Sequence, residues 1–271
     1  MDRGFDLLTL ALLPGFGPRS LRGLAARGPL AEVLARPGDH TDLLGPEARQ
    51  ALVSGAAQRE AVSEMRRAAA LGIRLVGWDD AEYPPLLRRI YDPPPVLYVR
   101  GGLRTGEGEE SLAIIGARAA SPQGRALAQE LARQLAQAGL TIVSGLARGI
   151  DTAAHRGALA AGGRSVAVLG SGLDQVYPAE NAELAGRLAE RGAVVSEFRL
   201  GMTPYAGNFP RRNRVIAGWG RGVVVVEAAA RSGALVTARC GEPAPRLLAR
   251  LAALEIESKV RRLPGALFVR T

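Results

Sequence analysis

The stretch Leu112-Ala-Ile-Ile-Gly116-Ala-Arg118-Ala-Ala-Ser121-Pro122-Gln-Gly124 has the pattern of a buried strand, a short loop and the start of a long helix. Ser121 suits the N-cap and Pro122 the first helical position, ahead of an Ala-, Leu- and Gln-rich helix over 126–137. The N–H groups and the positive dipole end of such a helix favour an anion, and Arg118 adds charge to the loop. The sequence therefore predicts an anion site here, most simply for a phosphate.

The alternation of strand and helix continues beyond this stretch. The predicted strands are 112–116, 140–145, 164–170, 193–197 and 222–227, and the predicted helices between and after them are 126–137, 151–161, 179–191, 212–219 and 232–238. The unbroken valines of 222–227 are typical of a strand buried on both faces. Together these elements predict an α/β fold whose core is a Rossmann-like, doubly wound, mostly parallel sheet over 111–240.

The region before this sheet has a different pattern. Residues 1–75 predict a helical domain with helices at 30–35 and 46–71. Residues 76–110 predict an extended, Pro- and Gly-rich connection, with a strand at 72–77 where it begins and a short strand after the prolines at 93–95. Near the start, Pro14-Gly-Phe-Gly-Pro18 between two leucine-rich segments resembles the turn of a helix-hairpin-helix. Such a turn can hold a DNA phosphate through its backbone N–H groups, or it can be a structural hairpin or a protein-docking module.

Composition limits the classes of protein and of partner. The net charge of +9 and the pI near 10.8 favour polyanionic partners, and nearly all the cations are arginines, since Lys259 is the sole lysine. Coding bias or selection for guanidinium chemistry explains that excess equally well. The single Cys240 excludes a disulfide framework. Residues 1–6 do not resemble a signal peptide and no window of 18 apolar residues occurs, so we expect a soluble cytoplasmic protein.

The candidate site lies where the predicted strands end, because ligands of such sheets bind outside the carboxyl ends of the strands. Glycine, serine and arginine dominate there, so backbone N–H groups and guanidinium groups can converge on a phosphate. A later loop combines an aromatic ring with arginines, which suits a stacked base and its phosphate. For any single arginine, the alternative is a solvated face or an ion pair. The candidate residues are Gly116, Arg118, Ser121, Ser144, Gly145, Arg148, Arg164, Gly170, Ser171, Gly172, Phe209, Arg212, Asn213 and Arg214.

Catalytic and cofactor motifs are missing. Arg118 replaces the second glycine of a G-x-G-x-x-G dinucleotide pattern, and no Walker lysine motif occurs. No nucleophile, base and orienting group come together, and His155 is expected to make a structural polar contact. Glu197 and Glu227 end strands, and we expect both to pair with the loop arginines. The pattern predicts a binding protein with no cofactor, no metal and no catalytic residue.

Several strings resemble the DNA-processing protein A (DprA, also called Smf) family, in the same order from about residue 10 to residue 238. The Ser-Gly-Leu-Ala-Arg-Gly-Ile-Asp and Phe-Pro-x-Arg-Asn-Arg strings are the most specific of them. The matching stretches are Leu13–Pro18, Tyr83-Pro84, Asp92-Pro-Pro, Ile115–Arg118 with Ser121 and Gly124, Val143–Asp151 with Ala154-His155, Gly170–Asp174 with Tyr177-Pro178 and Asn181, Phe209-Pro210 with Arg212–Gly218, and Val226-Glu227 with Ser232–Ala238.

The resemblance implies an N-terminal domain of sterile-alpha-motif type and an extended Rossmann domain that binds single-stranded DNA. It implies a protein that is not an enzyme, that protects incoming strands in natural transformation and that helps to load the recombinase RecA. Carried over residue by residue, the resemblance places Arg118 on a phosphate, with Arg164 nearby. Gly170, Ser171 and Gly172 would line the same pocket.

This sequence departs from the family pattern after Ala238. By the resemblance, a block of strand and helix is absent there, and 244–271 corresponds only to the last helix and the wing hairpin of a winged-helix domain. Self-association as a homodimer and the RecA contact are attributed largely to this region in the family, so the departure bears on both partners. Two other hypotheses remain: a phosphoribohydrolase on a related scaffold, whose Pro-Gly-Gly-x-Gly-Thr-x-x-Glu string is missing, and a protein-interaction scaffold.

Overall fold

The computed structural model describes residues 3–228 and the backbone of 261–263 and 267–269. The helix predicted over 232–238 and most of the predicted winged-helix remnant lie outside the described residues. Within them, the last two short strands pair as an antiparallel hairpin, with Leu263 opposite Leu267. This hairpin stands where the wing hairpin is predicted.

The N-terminal part is helical, as predicted, and the Pro-Gly turn joins two helices. Buried leucines such as Leu7, Leu21 and Leu24 hold the helices together. The helix predicted over 46–71 is two helices, because Gly55 adopts a left-handed backbone (φ 72°) that ends the first one. The helices are α1 Arg3–Ala11, α2 Pro18–Ala25, α3 Leu30–Ala35, α4 Pro46–Val53 and α5 Ala56–Ala70, with a 3₁₀ turn at Pro37–His40.

Seven strands form the main sheet. The strands are β1 Arg74–Gly77, β2 Val96–Gly101, β3 Ser111–Ile115, β4 Thr141–Ser144, β5 Ser165–Val168, β6 Ala193–Ser196 and β7 Val223–Val225. Their order is β1-β2-β6-β5-β4-β3-β7, and the five strands predicted between 112 and 227 form the parallel block from β6 to β7. The two strands predicted at 72–77 and after the prolines at 93–95 also form, and they extend this block, since β2 pairs antiparallel with β6 and β1 with β2.

Helices cover both faces of the sheet, as in a doubly wound fold. Alternate residues of β3 separate into two cores, because successive side chains of a strand point to opposite faces. Leu112 and Ile114 join one hydrophobic cluster, and Ala113 and Ile115 join another. The remaining elements are the short helix α6 Pro85–Arg88, then α7 Pro122–Gln137, α8 Ile150–Ala160, α9 Ala182–Arg191 after a 3₁₀ turn at Ala179–Asn181, α10 Asn208–Trp219, and the hairpin strands β8 Arg261–Leu263 and β9 Leu267–Val269.

The N-terminal helices pack directly on the sheet. One hydrophobic cluster includes leucines of α1 and α2 together with valines of β4, β5 and β6. The buried carboxylate of Glu64 on α5 accepts hydrogen bonds from the Tyr98 hydroxyl (2.9 Å) and from the backbone N–H of Leu200 (2.7 Å). The helical part is therefore fixed against β2 and the segment after β6. In the part of the chain that is described, no helix is both long enough and apolar enough to span a membrane.

Candidate functional site

A pocket of about 40 Å³ opens at the carboxyl ends of β4 and β5. Its walls come from the loops after β3, β4 and β5 and from the first turn of α10. Seven lining residues are predicted from the sequence, and three are not. The predicted ones are Arg118, Gly145, Arg148, Gly170, Ser171, Phe209 and Arg212, and the others are Ala147, Tyr177 and Pro178.

The mouth of the pocket combines one exposed guanidinium with two aromatic rings. The Arg118 guanidinium carbon lies 4.8 Å from the centroid of the Phe209 ring, a cation–π distance. The Tyr177 ring is 43% exposed, and its centroid lies 6.1 Å from that of Phe209 at a tilt of 45°. An exposed cation beside two rings can bind a phosphate and stack on a base at once.

The floor of the pocket depends on two glycines and a buried arginine. Arg212 donates hydrogen bonds to the carbonyl oxygens of Gly145 (2.6 Å) and Val168 (2.5 Å), which ties the ends of β4 and β5 together. A Cβ on Gly145 would lie 2.2 Å from Nη1 of Arg212, and a Cβ on Gly170 would lie 2.9 Å from the Phe209 ring. Both positions require glycine because the neighbouring side chains occupy that space.

The electrostatics of the floor come from Arg212 and Asp151. Burial lowers the pKa of Arg212 to about 10, so the guanidinium still carries its charge at neutral pH. Burial raises the pKa of Asp151, and the charge of Arg212 opposes that shift. The Asp151 carboxylate accepts the backbone N–H groups of Gly145 (3.1 Å) and Ala147 (3.2 Å). These bonds hold the loop after β4 and use two N–H groups that would otherwise face an anion.

Arg148 lies at the rim and is paired. Its guanidinium forms a two-point hydrogen-bonded ion pair with Glu180, at 2.5 and 2.8 Å, and both side chains are exposed. The Glu180 hydrogen bond raises the pKa of Arg148 further above its ordinary range. An exposed pair of this kind is weak, so a phosphate can compete for the guanidinium.

Three predicted residues support the pocket from beneath. The Ser144 hydroxyl is fully buried and donates to the carbonyl oxygen of Ile114 at 2.6 Å. Gly116 packs against Ile150, which a Cβ would approach to 2.5 Å. The backbone N–H of Gly172 donates to the carbonyl oxygen of Met202 at 2.8 Å. None of these groups is among those that line the pocket.

The predicted phosphate site at the start of α7 needs a correction. Ser121 is the N-cap, as predicted, and its hydroxyl oxygen accepts the N–H of Gly124 at 2.9 Å. The anion at this helix end, however, is the carboxylate of Glu227, which accepts the Ser121 backbone N–H (3.0 and 3.1 Å) and the Ser121 hydroxyl (2.7 Å). Glu227 was expected to pair with a loop arginine. Its carboxylate lies at the positive helix end that the sequence assigned to a phosphate.

Arg164 lies away from the pocket, contrary to its predicted role. It precedes β5, whereas the pocket lies at the other end of that strand. Its guanidinium pairs with Glu107 at 2.6 Å and donates to the carbonyl oxygen of Gly102 at 2.5 Å. The side chains of this pair are only 11% and 2% exposed. Arg164 therefore joins the loop before β3 to the amino end of β5.

Helix α10 begins at Asn208, four residues before its predicted start at 212. The end of the predicted loop is therefore helical, and its arginines point in different directions around the helix. Arg214 forms a buried ion pair with Glu197, as predicted for that glutamate, and also pairs with Asp92 at 3.1 Å. The amide oxygen of Asn213 accepts from Nε of Arg212 at 3.3 Å. Neither Arg214 nor Asn213 lines the pocket.

His155 has the structural role that the sequence predicts. Its Nδ1 lies 2.8 Å from the Ser165 hydroxyl, which itself donates to the Ile142 carbonyl oxygen, so Nδ1 carries the proton and donates. Burial lowers the pKa of His155 to about 3, and the ring is neutral at physiological pH. His155 is fully buried at the amino end of β5 and cannot reach the pocket.

The sequence does carry a signal for the three lining residues that were not predicted, namely the strings shared with the family. Tyr177-Pro178 is one of the strings that carry the family resemblance, and Ala147 stands within another. Spacing from the strand ends does not select them, because the segment from 173 to 181 folds back over the pocket only in the tertiary structure. Asn181 helps to position this segment by donating to the carbonyl oxygen of Leu146 at 2.9 Å.

Comparison with known proteins shows which family this sequence and fold resemble. Residues 74–260 match the family model described as DNA recombination-mediator protein A. Protein Smf of Escherichia coli K12 is 47% identical over 192 residues, which cover 70% of this chain and 48% of that protein. The DNA processing protein DprA of Bacillus subtilis is 34% identical over 197 residues, covering 73% and 62% of the two chains. The chain thus spans about half the length of the curated relatives it matches.

Two solved structures share the fold. The X-ray structure of DNA processing protein A from Streptococcus pneumoniae superposes with a TM-score of 0.74 at 32% identity, over 88% of this chain and 82% of that one. A structure of DNA processing protein A from Helicobacter pylori, described for its unique single-stranded DNA binding mode, has a TM-score of 0.56 at 30% identity, over 62% and 75% of the chains. The sequence match and the shared architecture establish that this chain belongs to the DNA recombination-mediator protein A family, also called DprA or Smf.

Proposed function

We propose that this chain binds single-stranded DNA in the pocket at the carboxyl ends of β4 and β5. The supporting observation is the mouth of the pocket, where the exposed Arg118 guanidinium stacks on Phe209 and the Tyr177 ring lies beside the Phe209 ring. A base can stack on the rings while its phosphate meets Arg118 and Arg148. Every base has a π-face and the floor is mostly backbone, so this geometry favours weak sequence preference.

The same geometry supports binding without catalysis. Near the mouth, the titratable groups are arginines, one tyrosine and the paired Glu180. The Ser171 hydroxyl donates to the carbonyl oxygen of Gln175 at 2.6 Å, so it is not aligned with a base that could activate it. His155 is buried and neutral, and Asp151 is engaged by backbone N–H groups. A protein with these groups holds a strand rather than cleaving it.

The family and the pocket together support a more specific role. We propose that the protein acts in the cytoplasm on incoming strands during natural transformation, shields them from nucleases and passes them to the recombinase RecA. A strand held through one face of its bases and its phosphates is protected, and the remaining face stays available to a recombinase. Self-association as a homodimer belongs to the same proposal.

Titration with labelled oligonucleotides tests the binding step. Single- and double-stranded oligonucleotides of about 20 nucleotides are compared by fluorescence anisotropy at about 50 and about 200 mM salt. We expect preference for the single strand, micromolar or tighter affinity at low salt, and weakening of at least about tenfold at the higher salt, because bound arginines release counterions.

Other results would favour the other hypotheses. Equal affinity for single and double strands, or no binding to either, would contradict the proposal. Release of free base from a nucleoside monophosphate would indicate a phosphoribohydrolase. Capture of RecA without any strand binding would indicate an interaction scaffold. Nuclease protection, a RecA pull-down with and without DNA, and sedimentation velocity test the protective role, the handover and the homodimer respectively.

A further inference from the structure

A second, larger cavity of about 230 Å³ lies between the N-terminal helical hairpin and the segment that follows β6. One wall is apolar and consists of Leu8 on α1, Leu12 just after it and Leu21 on α2. The opposite wall carries Phe198 and Arg211, and the Arg211 guanidinium carbon lies 5.3 Å from the centroid of the Phe198 ring. This pattern of apolar walls with a ring-stacked guanidinium repeats the chemistry at the mouth of the first pocket.

Consecutive residues in the first turn of α10 line the two cavities. Arg211 and Arg212 are consecutive residues near the start of α10, and their side chains diverge by about 100° around the helix axis. Arg212 points into the floor of the first pocket, whereas Arg211 is exposed and lines the second cavity. Arg211 is therefore an exposed cation on the side of α10 that faces the second cavity, one residue away from the arginine of the first pocket.

An unsatisfied acceptor lies beside the second cavity. Glu197 lines it, and its side chain is 5% exposed. One of its carboxylate oxygens accepts from Arg214, but Oε1 is buried with no hydrogen-bond partner among the described residues. A buried acceptor without a partner is unfavourable, and a ligand N–H group in the cavity would satisfy it once the side chain turns toward that group. Carboxylates accept well from the exocyclic amino group of a nucleobase such as cytosine.

We propose that this cavity binds one amino-bearing nucleobase of the same DNA strand that fills the first pocket. In this arrangement, which rests on the proposed function, the base enters between the leucines of the hairpin and Phe198. Its amino group donates to Glu197, and Arg211 binds the phosphate that spans the first turn of α10. The helical hairpin then contributes a wall for a base, and it need not hold a phosphate through its own turn.

The length dependence of binding tests the second cavity. Oligo-dC of about 4 and about 10 nucleotides competes with a labelled strand, and the ratio of the two affinities measures what the longer strand gains. Ala11→Phe fills the cavity from the end of α1, since Ala11 lines it. Arg211→Ala removes the exposed cation, and Arg187→Ala on α9 is the matched control, because it makes the same charge change at an exposed position outside both cavities.

We expect the wild type and Arg187→Ala to bind the longer strand at least about tenfold more tightly, and Ala11→Phe and Arg211→Ala to lose most of that gain. Their affinity for the short strand should stay unchanged. Wild-type protein should also bind the longer oligo-dC several-fold more tightly than oligo-dT, and Ala11→Phe should abolish that preference. Arg211→Ala replaces an exposed side chain, so it remains informative even if Ala11→Phe fails to fold.

Three outcomes separate this inference from the proposed function. If both variants keep the wild-type ratio while Arg118→Ala weakens binding at both lengths, the second cavity holds no base and only this inference is overturned. Equal affinity for long oligo-dC and oligo-dT would overturn the role of Glu197 as the acceptor. If the wild type binds neither length, the inference and the proposed function are both overturned.

Discussion

Arg118 and Arg164 stand at opposite ends of the same sheet and behave differently. Arg118 follows β3, is exposed and stacks on Phe209. Arg164 precedes β5, and its side chain is 11% exposed and paired with the nearly inaccessible Glu107. Both are arginines beside a strand, and the family resemblance placed both near DNA. The difference shows that the end of the strand, more than the residue type, decides whether a guanidinium is available to a ligand or neutralised within the fold.

The largest effect on stability is expected at Arg164, at the amino end of β5. Arg164→Ala leaves the Glu107 carboxylate buried without its cation, so the free energy of unfolding should fall by about 3 kcal/mol. The affinity of the remaining folded protein for single-stranded DNA should not change. Urea denaturation and anisotropy titration measure the two quantities.

The double variant Arg164→Met with Glu107→Leu is the control for this comparison, because it removes both charges at once. It should recover part of the lost stability, since no uncompensated charge remains. A specific loss of DNA affinity in folded Arg164→Ala would break the contrast between the two ends and return Arg164 to the binding site.

The next largest effect is a dependence of stability on pH, also at the amino end of β5, where His155 forms a hydrogen bond with Ser165. The pKa of His155 is about 3 in the folded protein and near 6.5 when unfolded. Between these values the unfolded chain binds a proton that the folded protein does not, so this contribution is complete above about pH 6.5 and is lost as the pH falls. Relative to His155→Gln, the wild type should lose up to about 1.4 kcal/mol per pH unit from about pH 6 to about pH 4.

Urea denaturation of both proteins across this range measures the difference. Asp151 and Glu197, whose pKa values burial raises, act in the opposite direction, but they are present in both proteins and cancel. Parallel stability curves for the wild type and the variant would mean that His155 is not held neutral.

At Arg118, at the carboxyl end of β3, we expect the reverse: little change in stability and a clear loss of DNA affinity. Arg118→Ala removes an exposed cation, so the free energy of unfolding should stay within about 0.5 kcal/mol of wild type. Affinity for single-stranded DNA should fall about tenfold, and the slope of log affinity against log salt should decrease by about 0.7, as expected for one lost phosphate contact. Unchanged affinity and salt slope would remove Arg118 from the binding site.

The smallest effect is expected for a variant at the mouth of the first pocket that removes base stacking and keeps the charge of Arg118. Phe209→Leu keeps an apolar group over Gly170 but removes the ring, so affinity should fall a few-fold through lost base stacking. The salt slope should remain at the wild-type value, because no cation is removed. A decreased slope would show that Phe209 acts mainly by orienting Arg118.

Particular residues show how far the sequence reaches. The five parallel strands and their helices follow from apolar runs and turn signals, since local periodicity reports which segments are buried. The two antiparallel strands at the sheet edge also follow from local patterns, but their places in the sheet do not, because the pairing of β2 with β6 is a long-range contact that no local pattern encodes. Five of the pocket residues follow from the rule that ligands meet strand ends, and Phe209 and Arg212 follow from the pattern of an aromatic residue beside arginines. Tyr177 and Pro178 come from a later segment that folds over the pocket.

The sequence by itself determined the α/β class, the parallel block, the helix start at Ser121 and the family, because these depend on local patterns and on strings of residues. Only the tertiary structure decided which charges are available. Glu227, more than a hundred positions after Ser121, occupies the helix end that looked ready for a phosphate. Glu107 neutralises Arg164 in the same way, while Arg118 has an aromatic neighbour and open solvent. Ion pairs between residues far apart in sequence form only when the chain packs. Packing therefore decides which arginines are neutralised within the fold and which remain available to a ligand.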